Sequence, residues 1–190
     1  MFKNIEIEGF DYGVFISGGG VNSLVFDNIT VSDQNICGFR TNLQVVSVHK
    51  LISNNSVPAV WSSHDQGSLT LVDASLTGGS SSNPAIIHEH GVLFLRDITS
   101  SGYKQILENK IGASIGGNTI TEYAFPKIHT VHPSPSKTLD LAIEETPSVV
   151  WDAPSAWVNV EDYGATANGE PGSGDDTQAF QDAIDAGQPR

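Results

Sequence analysis

Residues 26–31 read Phe26-Asp27-Asn28-Ile29-Thr30-Val31, and the same order of residue types occurs four more times. It occurs as Phe2-Lys3-Asn4-Ile5-Glu6-Ile7, Val48-His49-Lys50-Leu51-Ile52-Ser53, Leu71-Val72-Asp73-Ala74-Ser75-Leu76 and Leu95-Arg96-Asp97-Ile98-Thr99-Ser100. The order is apolar, polar, Asn/Asp/Lys, apolar, with a polar residue usually next. Ile5, Ile29, Leu51, Ala74 and Ile98 occupy the equivalent place, at spacings of 24, 22, 23 and 24 residues. A steady period of this size is the mark of a stacked repeat.

Each unit carries a second short run: Gly13-Val14-Phe15-Ile16, Gly38-Phe39-Arg40-Thr41, Ala59-Val60-Trp61-Ser62, Ala85-Ile86-Ile87-His88 and Lys104-Gln105-Ile106-Leu107. A third run, such as Asn22-Ser23-Leu24-Val25 or Gly91-Val92-Leu93-Phe94, leads into the next unit. Gly, Asn, Ser and Asp clusters separate the runs, which is turn chemistry. Residues 1–110 show short apolar–polar alternation and no 3.6-residue period, so strands are expected. Three short strands per unit, five units long, predict an all-β coil stacked on itself. One coil cannot bury its own inward side chains, whereas stacked coils share a core. The fold class is a single-stranded parallel β-helix of about five coils, with Ile5, Ile29, Leu51, Ala74 and Ile98 as one inward column. A leucine-rich repeat would need denser Leu and a helical segment, and a β-sandwich would not repeat so evenly.

The pattern stops at Lys110. Residues 111–157 are Gly-rich, then Pro-rich, and Pro excludes central strands. This stretch reads as an inter-domain linker, with Trp151 and Trp157 as anchors or sugar-stacking rings. Residues 157–165 read as a short strand and turn. Asp175-Asp176-Thr177 then opens a helix, with Asp175 as N-cap. That helix places Ala179, Phe180, Ala183 and Ile184 on one face before Gly187.

Charge narrows the partners. The chain has 190 residues, 9 Lys+Arg against 22 Asp+Glu, and a formal net charge of −13. Half of the acidic residues lie after residue 138, alongside a single basic one. Nucleic acid, whose phosphates demand Lys and Arg, is excluded as a partner. The single cysteine, Cys37, allows no internal disulfide framework. No apolar run approaches the ~18–20 residues of a membrane span.

The tail, Asp162-Tyr163-Gly164-Ala165 followed by Asp175-Asp176-Thr177-Gln178-Ala179-Phe180-Gln181-Asp182-Ala183-Ile184-Asp185, resembles the opening of pectate-lyase-like, right-handed β-helix proteins of the rhamnogalacturonase and epimerase kind. The loop from Thr166 to Gly174 is longer than in that pattern. The resemblance implies that the motif starts a β-helix and that its helix caps a coil. Here the motif comes last. The chain therefore reads as the coils of one β-helix (1–110), a linker (111–157) and the truncated strand-plus-helix cap of a second β-helix (158–190). That tandem order resembles the family 55 exo-β-1,3-glucanases. It implies a secreted or cell-surface fragment of a polysaccharide-degrading glycoside hydrolase, whose partners are its polysaccharide and the flanking β-helix domains.

Polysaccharide chemistry on such a fold needs side chains stacked on neighbouring coils, ~4.8 Å apart. The most polar runs are Ser62-Ser63-His64-Asp65, His88-Glu89-His90 and Glu108-Asn109-Lys110. Glycosidic cleavage uses one carboxyl as acid and another as base or nucleophile. Asp65, Glu89 and Glu108 are the catalytic candidates, and His64, His88, His90, Trp61, Trp151 and Trp157 the substrate-binding ones. His88 and His90 would share a strand face, but without a firm third ligand no metal site is assigned. No cofactor is expected in a hydrolase, whereas a lyase or uronan epimerase would use Ca²⁺. A non-catalytic glycan-binding tailspike or adhesin module is the further alternative. Asn28, Asn54 and Asn55 read as turn formers or ladders.

Overall fold

A computed structural model describes residues 1–18, 23–135, 137–144, 150, 153–166 and 174–186. It divides into two compact units, residues 1–139 and 140–190.

The first unit is a parallel β-solenoid of about five turns. Its long strands are β1 (Phe2–Glu8), β3 (Ser23–Ser32), β5 (Val45–Asn54), β7 (Ser68–Thr77) and β9 (Val92–Ser100). Its short strands are β2 (Tyr12–Ile16), β4 (Cys37–Thr41), β6 (Val60–Ser62), β8 (Ile86–His88) and β10 (Leu107–Asn109). Each set pairs in parallel with its own kind, giving one sheet of long strands and one of short. The expected column holds: Ile5 pairs with Ile29, Ile29 with Leu51, and Ala74 with Ile98. Ile29, Leu51, Ala74 and Ile98 are buried. The facing column of the short-strand sheet is Val14, Phe39, Val60, Ile86 and Leu107. Phe39 meets Phe26 edge-on, with ring centroids 5.1 Å apart. Each such large side chain contributes roughly 1.5–3 kcal/mol by leaving water.

Two strands per coil replace the three expected, because the third run flows into the next unit's first run. Each long strand carries a one-residue bend, inside the first run rather than at the join. Asn4, Asn28, Lys50, Asp73 and Asp97 sit at equivalent places with φ between 54° and 57°. Asn and Asp visit this left-handed conformation readily because a short polar side chain bonds locally. The Asn28 amide donates to Asn4 Oδ1 at 2.8 Å. Lys50 is the exception in residue type. Lys50→Asn is therefore expected to add about 0.5–1 kcal/mol, raising the melting midpoint by a few degrees. Lys50→Val, β-branched, should lower it, and paired thermal melts check both.

The first part of the expected linker belongs to the solenoid. Residues 119–125 form β11 (Thr119–Phe125), which runs antiparallel to β9. Just before it, Ile115 bridges to Leu107 with reciprocal backbone bonds of 3.1 and 3.0 Å. The returning chain thus pairs with the last strand of both sheets and covers edges that would otherwise be open. This antiparallel pairing lies outside the parallel repeat, and the repeat pattern gives no hint of it.

The second unit has no strand among its described residues. The expected strand at 157–165 is instead a 3₁₀ turn at Val160–Tyr163. Asn159 caps it by accepting the Glu161 N–H, and Gly164 ends it at φ 101°. With no neighbouring strand among the unit's described residues to satisfy a ladder, local i to i+3 bonds prevail. The helix α1 (Thr177–Ala186) forms as expected. Asp175 Oδ1 accepts the Thr177 N–H at 2.9 Å. The Thr177 hydroxyl and this amide hold the Asp175 carboxyl below the usual carboxylate range. Ala179 and Ala183 are buried, while Phe180 and Ile184 remain exposed.

Candidate functional site

The outer face of the short-strand sheet is half-buried to exposed. Registers place Phe15, Arg40, Trp61, Ile87 and Glu108 in one outward column across five coils. Arg40 organises it. Its guanidinium lies 4.2 Å from the Trp61 ring centroid, 5.2 Å from Phe15 and 5.6 Å from Tyr12. Arg40 Nη1 also donates to the Tyr12 hydroxyl at 2.9 Å. Tyr12 and Phe15 stack on each other at 4.8 Å. Cation–π contacts of this kind contribute on the order of 0.5–2 kcal/mol each.

Glu89 and Lys110 flank this column and form an ion pair at 2.8 Å. Partial burial pushes the Glu89 carboxyl up. The hydrogen bond from Lys110, the indole N–H of Trp61 (nearby, though not in hydrogen-bonding geometry) and the Lys110 and Arg40 charges outweigh it and hold Glu89 below the usual range. The same contact holds the Lys110 ammonium above its usual range, and the Glu108 charge adds to this.

The predicted site residues fall in several places. Trp61, Glu89 and Glu108 meet on this outer face. The run expected at 104–107 is displaced by two residues, because Leu107 rather than Gln105 pairs with Ile86. His64 and Asp65 lie in the loop after β6, with His64 Nδ1 2.8 Å from Asp65 Oδ1 and the Asp65 side chain 75% exposed. His88 and His90 do not share a face. The strand ends at His88, whose ring is fully buried in the coil interior, whereas His90 is exposed. Trp157 is 58% exposed in the second unit. Trp151 lies outside the described residues. Among the described residues, no group of three or more His, Cys, Asp or Glu could hold a metal ion. Cys37 is buried, which pushes its thiol up to about 12 and leaves it without nucleophilic thiolate. The turn asparagines serve turns: Asn55 is buried and bonded on both amide atoms.

A second cluster escaped the sequence reading. It lies on the outer side of the bend, in the column Lys3, Asp27, His49. Lys3 Nζ is 2.6 Å from Asp27 Oδ2, His49 Nδ1 is 2.9 Å from Asp27 Oδ1, and His49 Nε2 is 3.0 Å from Asp73 Oδ2. The Lys3 hydrogen bond outweighs burial and, with His49, holds the Asp27 carboxyl below the usual range. Both ring nitrogens of His49 are taken by carboxylates, and no nucleophile is among these contacts. The arrangement ties four successive coils together.

Comparison with protein-family models, with curated proteins and with solved structures finds no match to this chain.

Proposed function

We propose that the solenoid is the glycan-binding face of a carbohydrate-active, pectate-lyase-like β-helix protein that acts outside the cell in polysaccharide hydrolysis of the β-1,3-glucanase kind. The observation that carries this reading is the outward row Tyr12, Phe15, Arg40, Trp61, Glu89 and Lys110. Polysaccharides present C–H faces and hydroxyls in alternation. A flat row of ring edges interleaved with fixed donors and acceptors matches both. Because Arg40 covers one face of Trp61 and the indole N–H is buried, the ring contributes its edge rather than a free stacking face.

Catalysis within this chain is the second reading. One carboxyl must stay protonated to act as acid. Glu89 is held ionised by its pairing with Lys110, and Asp65 is open to water. This favours binding over turnover for the face itself. A uronate lyase or epimerase would in addition need Ca²⁺ at a site the described residues do not assemble.

The test is binding of linear β-1,3-glucan and of polygalacturonate, each measured by calorimetry. Binding to the neutral glucan is expected, and Trp61→Ala should weaken it by about tenfold or more. No affinity for either polymer would remove the proposal, and Ca²⁺-dependent affinity for polygalacturonate alone would replace it with the lyase reading.

A further inference from the structure

The ring of His88 is fully buried, and neither Nδ1 nor Nε2 has a hydrogen-bond partner. It stands in the inward column Thr41, Ser62, His88 and Asn109. What covers it on the last coil is the closing segment. Phe125 of β11 meets the ring at 5.5 Å and 69°. Beside it, Asn109 Nδ2 donates to the Tyr123 hydroxyl at 2.9 Å. Gly112 lies flush against Phe125, where a Cβ would sit 2.5 Å from the ring.

We propose that His88 is a proton-operated latch, whose protonation releases the closing segment 111–125 from the end of the solenoid. An imidazolium at this place would be a buried cation with two unpaired donors, which a protein interior does not tolerate. The groups around it cannot compensate. Ser62 on β6 and Asn109 on β10 are neutral, as is Tyr123 on β11, whose hydroxyl is already engaged. Glu89, Glu108 and Lys110 belong to the outward columns. Burial is the largest influence and pushes the ring's pKa down. The Gly91 backbone favours the charged form, though not in hydrogen-bonding geometry, and the His90 ring disfavours it.

The direction follows from proton linkage. The closed state binds His88's proton less readily than an open state with a hydrated ring, so closure is secure at neutral pH and weakens as pH falls below ~6.5. The route by which the ring can reach water is past Phe125, because on its other side the column continues into Ser62 and Thr41, both buried. Release of Phe125 and Tyr123 would also unpair Ile115 from Leu107 and β11 from β9. Both sheet edges would then be free to pair with another strand.

The test is amide exchange of the whole chain as a function of pH, corrected for intrinsic rates. Opening of Leu107, Ile115 and residues 119–125 is expected to increase about tenfold between pH 7.5 and pH 5.5. Amides of β3 and β5 should not follow. His88→Leu should abolish the increase, and the exposed-site control His90→Asn should leave it intact. Should His88→Leu fail to fold, Phe125→Ala provides the second measurement, since hydrating the ring should raise its NMR titration midpoint toward 6.5. A pH-independent closing segment in the wild type, or an undiminished increase in His88→Leu, would overturn the latch. So would an unmoved His88 midpoint in Phe125→Ala.

Discussion

Replacing Gly91 with alanine is expected to remove about 3–5 kcal/mol of stability and to fray the coils beside it. Gly91 holds φ at +87° in the turn between β8 and β9. A Cβ there would overlap the carbonyl oxygens of Gly67 and His64, the latter at 2.5 Å. These are backbone atoms of the coil before, fixed by the Val92 N–H donating to Gly67 O at 2.9 Å. They cannot rotate away as a side-chain end would. Gly9 supplies the comparison, since it has φ +76° and nothing within 4 Å of an added Cβ. Gly9→Ala should therefore show only the left-handed cost of about 1–2 kcal/mol. Denaturant titration of both variants gives the difference, which is the clash alone. Because each coil touches only its neighbours, exchange protection should fall around β6 to β9 in Gly91→Ala and persist in β3. Equal losses in the two variants would show that the turn relaxes and that coil spacing is softer than the geometry indicates.

The coil was legible because stacking forces equivalent residues into equivalent surroundings. Ile29, Leu51 and Ile98 must face inward on every turn, so their spacing is written into the chain. The bend was written there too, in Asn4, Asn28, Asp73 and Asp97, although the pattern by itself does not reveal that those residues turn left-handed. The closing strand was not legible. Residues 119–125 occur once, so no repeat marks them, and their partners on β9 lie 20 to 32 residues back. The 3₁₀ turn at Val160–Tyr163 was misread as a strand for a related reason. Alternation of apolar and polar residues says which side chains could face a core, but not whether a neighbouring strand exists to pair with.

The candidate site was half legible. Trp61, Glu89 and Glu108 come from three coils, and correct register brings them to one face. Arg40 could have been found by the same alignment, since Phe15, Arg40, Trp61 and Ile87 occupy one position of the second run, whereas Tyr12 lies just before that run and aligns with Cys37. What hid Arg40 was its residue type, which reads as a solvated charge until three rings are seen around it. His88 shows the opposite failure. A polar residue at an inward position looks like part of a surface patch when only composition is considered, and strand parity puts it in the core. The Lys3, Asp27, His49 and Asp73 cluster was hidden because its members occupy two adjacent columns, so no single repeat position displays it.

Asn55→Leu should be nearly as damaging as Gly91→Ala, at about 3–5 kcal/mol, although leucine is close to isosteric and the site is 2% exposed. The apolar gain is outweighed by what is left behind. Asn55 Oδ1 accepts the Gln34 backbone N–H at 2.7 Å, and Nδ2 donates to Val31 O at 3.2 Å and Ser53 Oγ at 2.9 Å. Leucine would strand a buried backbone donor and a buried backbone acceptor, each at roughly 1–3 kcal/mol. The turn is further built around Asn55's own backbone, whose N–H donates to Thr77 O at 2.9 Å and whose carbonyl accepts the Tyr103 hydroxyl at 2.7 Å. Those two bonds use no side-chain atom of Asn55 and remain available in Asn55→Leu and Asn55→Asp, so the measured loss reports the side-chain amide. Asn55→Asp separates its halves: it keeps the acceptor for Gln34 but sets a carboxylate oxygen against Val31 O. If the donor half dominates, Asn55→Asp will be about as unstable as Asn55→Leu in denaturant titration. If it stays within about 1 kcal/mol of wild type, the Gln34 bond alone holds the turn. A small loss in Asn55→Leu would mean that the backbone groups find other partners and that the side-chain amide is dispensable.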